Sequence, residues 1–155
     1  ASDVYKRQNW YFQAIDSQLG INRVQEFLNK IEYGNQTTSS NLDLYWSDFS
    51  LKISPLEQVT LLKKFNTNEF HLNFQNVFSV KNAIKIASTP NGNFYGKTGT
   101  GRVNGQDING WFIGYVETSD NSYYFATNIQ SDSNATGKKA FEITSDILKK
   151  LHIWN

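Results

Sequence analysis

Tyr95-Gly96-Lys97-Thr98-Gly99-Thr100-Gly101 decides how this chain folds and where its chemistry sits. It follows the turn signal Pro90-Asn91-Gly92, and there the hydrophobic period changes. Upstream, apolar residues recur at helical spacing. Downstream, segments 93–99, 110–117 and 122–130 are rich in Phe, Tyr, Ile and Val, and Gly, Asn, Asp and Ser separate them. They read as three antiparallel strands. Within Tyr95 to Gly101, one lysine and two threonines stand among three glycines. Strand residues without Cβ bulk let a ligand lie against the backbone. A cation, hydroxyls and backbone N–H groups then suit an anion or a developing oxyanion.

Before that stretch the chain reads as helices. Residues 9–19 form an aromatic-rich helix stopping near Gly20. A second runs about 22–31, with Val24, Phe27, Leu28 and Ile31 on one expected stripe. A polar loop covers about 35–43. Ser54, Pro55 and Glu57 spell a capping box with proline at the first helical position, and Leu56, Val59, Leu62 and Phe65 are expected to face the core. Residues 73–86 read as another helix, with Phe74, Val77, Phe78 and Ala83 or Ile84 inward. Residues 136–151 close the chain as an amphipathic helix with Ala140, Ile143, Ile147, Leu148 and Leu151 on its apolar face. Helices, then a three-stranded antiparallel sheet, then a covering helix make an α+β fold.

Bulk properties exclude several classes. The chain has 155 residues, 39% of them hydrophobic and 15% aromatic, which fits one domain with a core and argues against disorder. Its net charge of +1 gives no sign of a nucleic-acid or membrane-surface partner. It has no cysteine, which removes disulfides, thiol catalysis and cysteine-based zinc sites. Its two histidines, His71 and His152, are too few for a metal cluster and read as surface or partly buried residues. No run approaches the roughly 20 apolar residues of a membrane span.

The K-T-G segment does not stand alone. Tyr33-Gly34-Asn35, Tyr45-Trp46, Ser50 to Val59, Asn109 to Glu117 and Tyr123 to Thr127 surround it in order. With these motifs the chain, from about residue 9 to 151, resembles the serine penicillin-recognising proteins, specifically the sensor domains of BlaR/MecR-type β-lactam receptors and the related class D β-lactamases. The resemblance implies the later part of a transpeptidase-like domain. It implies acyl transfer, in which a serine of a Ser-x-x-Lys motif attacks the β-lactam carbonyl and the lysine, carbamylated in class D members, takes its proton. This sequence contains no Ser-x-x-Lys. Thr60-Leu61-Leu62-Lys63 and Thr136-Gly137-Lys138-Lys139 read as helix surface and helix start. The chain as written is therefore expected to lack nucleophile and base, to need no cofactor, and to be inactive alone.

What the resemblance leaves is a binding half. Lys97 would set the electrostatics beside the nucleophile. Thr98 would offer a hydroxyl to the drug carboxylate, and Gly99 would allow close approach. The backbone N–H of Thr100 would be one of two oxyanion donors, or Thr100 an ordinary strand residue. Tyr33, Gly34 and Asn35 would border the site, or form a helix C-cap with Gly34 at its left-handed position. Trp46 matches a tryptophan covering the base lysine and could equally be a core residue. Trp111 matches a family aromatic on the strand after K-T-G but reads first as sheet packing. Asn9 falls where the sensors carry asparagine and the hydrolases an apolar residue. Lys138 falls where class D enzymes carry an arginine that forks onto the carboxylate, which a lysine cannot do.

Ala1 to Gln8 shows no period or cap, and Arg7 stands where the family's serine is expected. This segment reads as a non-native junction scar, with 9–155 a truncated penicillin-binding domain. Three functions stay in play: a β-lactam sensor on the outer face of the cell membrane, a secreted class D hydrolase, and a structural or carbohydrate-binding β-rich module suggested by 23 aromatics. The expected partners are β-lactam antibiotics and the missing N-terminal half, with no membrane contact in this segment.

Overall fold

The computed structural model describes residues 9–38, 45–46 and 49–154. The expected junction segment 1–8 and part of the 35–43 loop lie outside them. The elements in chain order are α1 (Asn9–Leu19), α2 (Ile21–Lys30), α3 (Pro55–Asn66), α4 (Phe74–Ile84), β1 (Lys85–Thr89), β2 (Gly92–Val103), β3 (Gln106–Thr118), β4 (Ser122–Gln130) and α5 (Gly137–Lys150). The chain divides into two compact units, Ala1–Glu57 and Gln58–Asn155.

In the first unit, Gly20 (φ 79) separates α1 from α2. Val24 and Leu28 are buried with Tyr45, and Tyr33, Trp46 and Leu51 pack on that cluster. Phe27, expected on the same stripe, is 48% exposed. Helix α2 ends in a Schellman motif. Tyr33 N–H donates to the Leu28 carbonyl at 3.0 Å and Glu32 N–H to the Asn29 carbonyl at 3.1 Å. The left-handed residue is Glu32 (φ 54), not Gly34, so the alternative reading of Gly34 as the cap residue is displaced by two positions. The capping box at Ser54 is present. Ser54 N–H donates to Glu57 Oε2 at 2.8 Å, and Glu57 N–H to Ser54 Oγ at 3.3 Å. These bonds hold the exposed Glu57 carboxylate below its usual range.

The second unit is built on a four-stranded antiparallel sheet ordered β1-β2-β3-β4. The strand absent from the expected three is β1. Helix α4 stops at Ile84, and Lys85 turns extended (φ −68, ψ 124) to begin β1 without a loop. The helical period therefore runs straight into a strand that the Pro90-Asn91 turn folds back onto β2. Strand β2 also outlasts its expected end at Gly99. It reaches Val103, where Asn104 (φ 49) and Gly105 (φ 79) form a two-residue hairpin.

Phe94, Phe112, Val116, Ala140 and Leu148 form the core between the sheet and α5, with Phe125, Phe141, Ile153 and Trp154 against them. The face of α5 differs from the expected stripe. Gly137, Ala140, Thr144 and Leu148 are buried, while Ile143, Ile147 and Leu151 are 39%, 47% and 61% exposed. Small residues win because the helix lies close to the sheet. Thr144 is tolerated there because its hydroxyl reaches the Ala140 carbonyl at 2.8 Å and the Thr127 hydroxyl at 2.6 Å. A similar shift occurs in α3, where Gln58, Leu61 and Leu62 are buried and Leu56 is 81% exposed. On α4, Val77 alone is buried, and Phe74 and Phe78 stack on each other at the surface.

Candidate functional site

The K-T-G segment occupies the middle of β2. Pairing with β1 covers only Gly92 to Tyr95. From Gly96 to Val103, β2 keeps β3 on one side and has no strand on the other among the described residues. Alternate residues there turn their N–H and C=O toward that open edge.

Side chains alternate between the faces of the sheet. Phe94 faces α5, so Thr98 and Thr100 share the α5 side and Lys97 and Gly99 the other. The start of α5 sits directly on the segment. Gly137 N–H donates to Thr100 Oγ1 at 2.9 Å. A β-carbon on Gly137 would stand 2.6 Å from the Gly99 carbonyl oxygen and 2.9 Å from Thr98 Cβ. One on Gly110 would stand 2.4 Å from the Thr136 carbonyl oxygen. These two glycines are what let the helix seat over the strand. Thr136 caps the helix by accepting from Lys139 N–H at 3.1 Å. The first turn thus spends its Gly137 and Lys139 N–H groups on its own fold and leaves fewer for an anion.

Gly99 is different. A β-carbon there would find only Trp111 Cβ, at an ordinary 3.7 Å. Packing within the chain gives no reason for its bareness. The Thr98 hydroxyl makes no hydrogen bond among the described residues, whereas that of Thr100 is committed to α5. Lys97 is exposed and its ammonium donates to the Thr98 carbonyl at 2.5 Å. Trp111 is half-buried opposite Gly99. Lys138 lies at the surface of α5, its side chain 85% exposed and 3.8 Å from Glu142.

The first unit holds the other motif residues. Asn35 is fully engaged by its own fold: its Oδ1 accepts from Lys52 N–H at 2.9 Å, its Nδ2 donates to the Ser50 carbonyl at 2.8 Å, and its backbone N–H donates to the Lys52 carbonyl at 2.9 Å. Gly34 (φ 49) is required for that approach, because a β-carbon would lie 1.8 Å from the Lys52 carbonyl oxygen. Tyr33 is partly buried, and burial raises its pKa. Beside it the Tyr45 hydroxyl donates to Asp16 at 3.3 Å, and burial followed by the Asp16 charge pushes its pKa up to about 12. Trp46 packs on the Val24–Leu28–Tyr45 cluster. Asn9 is exposed at the first position of α1.

Sequence reasoning overlooked the Gly110–Gly137 seat and the Thr100 bond to it. The available signal was Gly137 itself, a glycine at a helix start where alanine would be the better former. Among the described residues no three His, Asp or Glu side chains gather as a metal site, and no helix is long and apolar enough to cross a membrane.

Residues 4–149 match the family model described as "Penicillin binding protein transpeptidase domain". The methicillin resistance mecR1 protein of Staphylococcus aureus is 43% identical over 94% of this chain and 25% of its own length. The solved C-terminal domain of the Bacillus licheniformis BlaR penicillin-receptor is 46% identical, with a TM-score of 0.89 over 95% of this chain and 59% of that one. A class D β-lactamase from Bacillus subtilis is 37% identical, with a TM-score of 0.86 over 95% and 60%. The chain thus spans about a quarter of that curated relative and about three-fifths of the solved domains.

Proposed function

The chain belongs to the penicillin-binding-protein transpeptidase family, and from that premise we propose that it is the carboxylate-recognising and oxyanion-binding part of a β-lactam sensor domain. The domain sits on the outer face of the cell membrane, as part of a membrane-anchored receptor. The observation that carries this reading is the K-T-G segment on a strand edge that, among the described residues, is open, with a Thr98 hydroxyl they leave uncommitted and a glycine at 99 that their packing does not require.

In this reading Lys97 supplies positive charge beside the reacting centre and Thr98 donates to the drug carboxylate. Gly99 lets the ligand approach the backbone, and Thr100 N–H donates to the carbonyl oxygen as it gains charge. One such donor is typically worth about 10²–10³ in rate. The nucleophile and its base are a Ser-x-x-Lys pair that this sequence does not contain. A hydroxyl nucleophile without a positioned base is weak, so the chain as written binds no β-lactam covalently.

The second reading is a class D hydrolase, favoured by the 37% identity to a solved member of that class. Two residues argue for the sensor. Asn9 presents an amide where a dry apolar side chain would protect a carbamylated lysine, and Lys138 is a point charge where a forked arginine would grip the carboxylate. Both favour a long-lived acyl adduct.

Intact-mass measurement after incubation with benzylpenicillin tests this reading. The chain alone is expected to gain no mass. The same chain joined to its native upstream region is expected to gain one drug mass on an upstream serine, and to keep it. An adduct on any hydroxyl of this chain overturns the division of labour. Rapid loss of the upstream adduct transfers the assignment to the hydrolase.

A further inference from the structure

The apolar segment Trp111-Phe112-Ile113-Gly114-Tyr115-Val116 ends in a charge, Glu117, that the proposed site does not use. It lies on the face of the sheet away from α5. There Asn93 opposes Glu117, Tyr95 opposes Tyr115, and Lys97 opposes Ile113. Glu117 is therefore a diagonal neighbour of Tyr95, and Tyr95 stands two residues before Lys97 on the same face.

The surroundings are built. Tyr95 stacks on Tyr115 at 4.7 Å between centroids, and Tyr115 meets Tyr124 at 5.7 Å. Lys81 of α4 brings its ammonium 3.8 Å from Glu117 Oε1, both side chains about three-quarters buried. The same ammonium donates to the Asn66 carbonyl at 3.4 Å, and Asn66 Nδ2 donates to the Tyr124 hydroxyl at 2.8 Å. Burial first, and then the neighbouring charge of Glu117, raise the pKa of the Tyr95 phenol. One carboxylate thus ties α4 to β3 at the place where Tyr95 of β2 lies diagonally beside it.

The position matters because Tyr95 is the last residue of β2 paired with β1. Beyond it the strand carries Gly96, Gly99 and Gly101 and is laddered on one side only. Glycine-rich backbone with one open edge opens more readily than a two-sided ladder, and Thr100's bond to α5 leaves its root at Tyr95 the other point of support. We propose that Glu117 is a positioning residue that fixes this root, holding Lys81 of α4 from its place diagonal to Tyr95 and so setting the direction in which β2 delivers Lys97, Thr98 and Gly99. The function of those three residues rests on the reading above, but the coupling itself does not.

Amide hydrogen exchange on this chain and its Glu117→Gln variant tests the coupling, because no ligand enters the experiment. Exchange across 96–101 is expected to accelerate by about tenfold or more, with β4 and α5 unchanged. Lys81→Met, which cuts the link from the helix side, is expected to loosen the same amides. Spectrophotometric titration supplies a readout that bulk stability does not move: one buried tyrosine should ionise at lower pH in Glu117→Gln. Unchanged exchange at 96–101 in both variants overturns the proposal, as does equal acceleration in every element. Absence of acylation in the joined protein would instead strike the β-lactam reading and leave this coupling standing.

Discussion

The Tyr33-Gly34-Asn35 and Lys97-Thr98-Gly99 motifs look alike in sequence, each a glycine beside polar and hydrogen-bonding residues, and they are used in different ways. In the first, the fold consumes the chemistry. Asn35 clamps the backbone of Ser50 and Lys52 from both ends of its amide, and Gly34 exists because Lys52 presses on it. In the second, the fold supports the strand through Gly110, Gly137 and Thr100, and among the described residues the Thr98 hydroxyl and the bareness of Gly99 serve no internal contact. A polar residue whose bonds are satisfied at home has little to give a ligand, and a glycine that packing does not require is better evidence of a site than one that it does.

Substitutions sharpen this contrast, and the largest effect falls at Gly34. Gly34→Ala places a methyl against backbone at a positive φ, and is expected to cost about 3 kcal/mol or more in urea unfolding. Gly99→Ala, at the matching place in the other motif, should shift stability by less than about 1 kcal/mol. Equal costs would erase the distinction. Asn35→Ala comes next, at roughly 2 kcal/mol, since it strands a backbone donor and an acceptor. Thr98→Val should stay within about 0.5 kcal/mol by the same measurement.

A pH effect of similar size belongs to Tyr45. Its pKa is raised to about 12 in the fold against an ordinary value of 10.0. The neutral phenol is the form the fold favours, so its contribution is complete below pH 10. It declines as pH rises from there to about 12, by roughly 2 kcal/mol in all. Alkaline unfolding of the protein and Tyr45→Phe checks it: the variant should lose the extra slope in that window. The smallest expected effects are gains. Glu32→Gly relieves a left-handed non-glycine residue at the end of α2 and should stabilise by about 0.5–1 kcal/mol. Tyr115→Phe removes a buried hydroxyl that has no hydrogen-bond partner among the described residues, and should be neutral or mildly stabilising by thermal melting.

Much of this was legible in the chain itself, and the failures have common causes. Caps were readable because their chemistry is local: Ser54, Pro55 and Glu57 mark the start of α3 without help from the rest of the molecule. Helix faces were not. Period tells which residues share a face, but two overlapping faces of α5 are apolar, and close approach to the sheet chose the smaller residues over Ile143 and Ile147. Strand β1 was hidden because it continues α4 with no loop between them. At the site, the lysine-threonine-glycine segment was readable because its composition is unusual for a strand. The engagement of Asn35, and the link from Glu117 to Lys81, depend on partners 15 to 36 residues away that no local pattern announces.

The acylation rate of the chain joined to its native upstream region, followed with a fluorescent penicillin in the parent and in Thr98→Val, tests the role of the lysine-bearing strand most directly. The expected result is slower labelling in the variant by about tenfold or more at unchanged unfolding stability, as befits a lost hydrogen bond to a charged ligand group. Equal labelling rates in the two proteins would contradict it, and would return Thr98 to the fold.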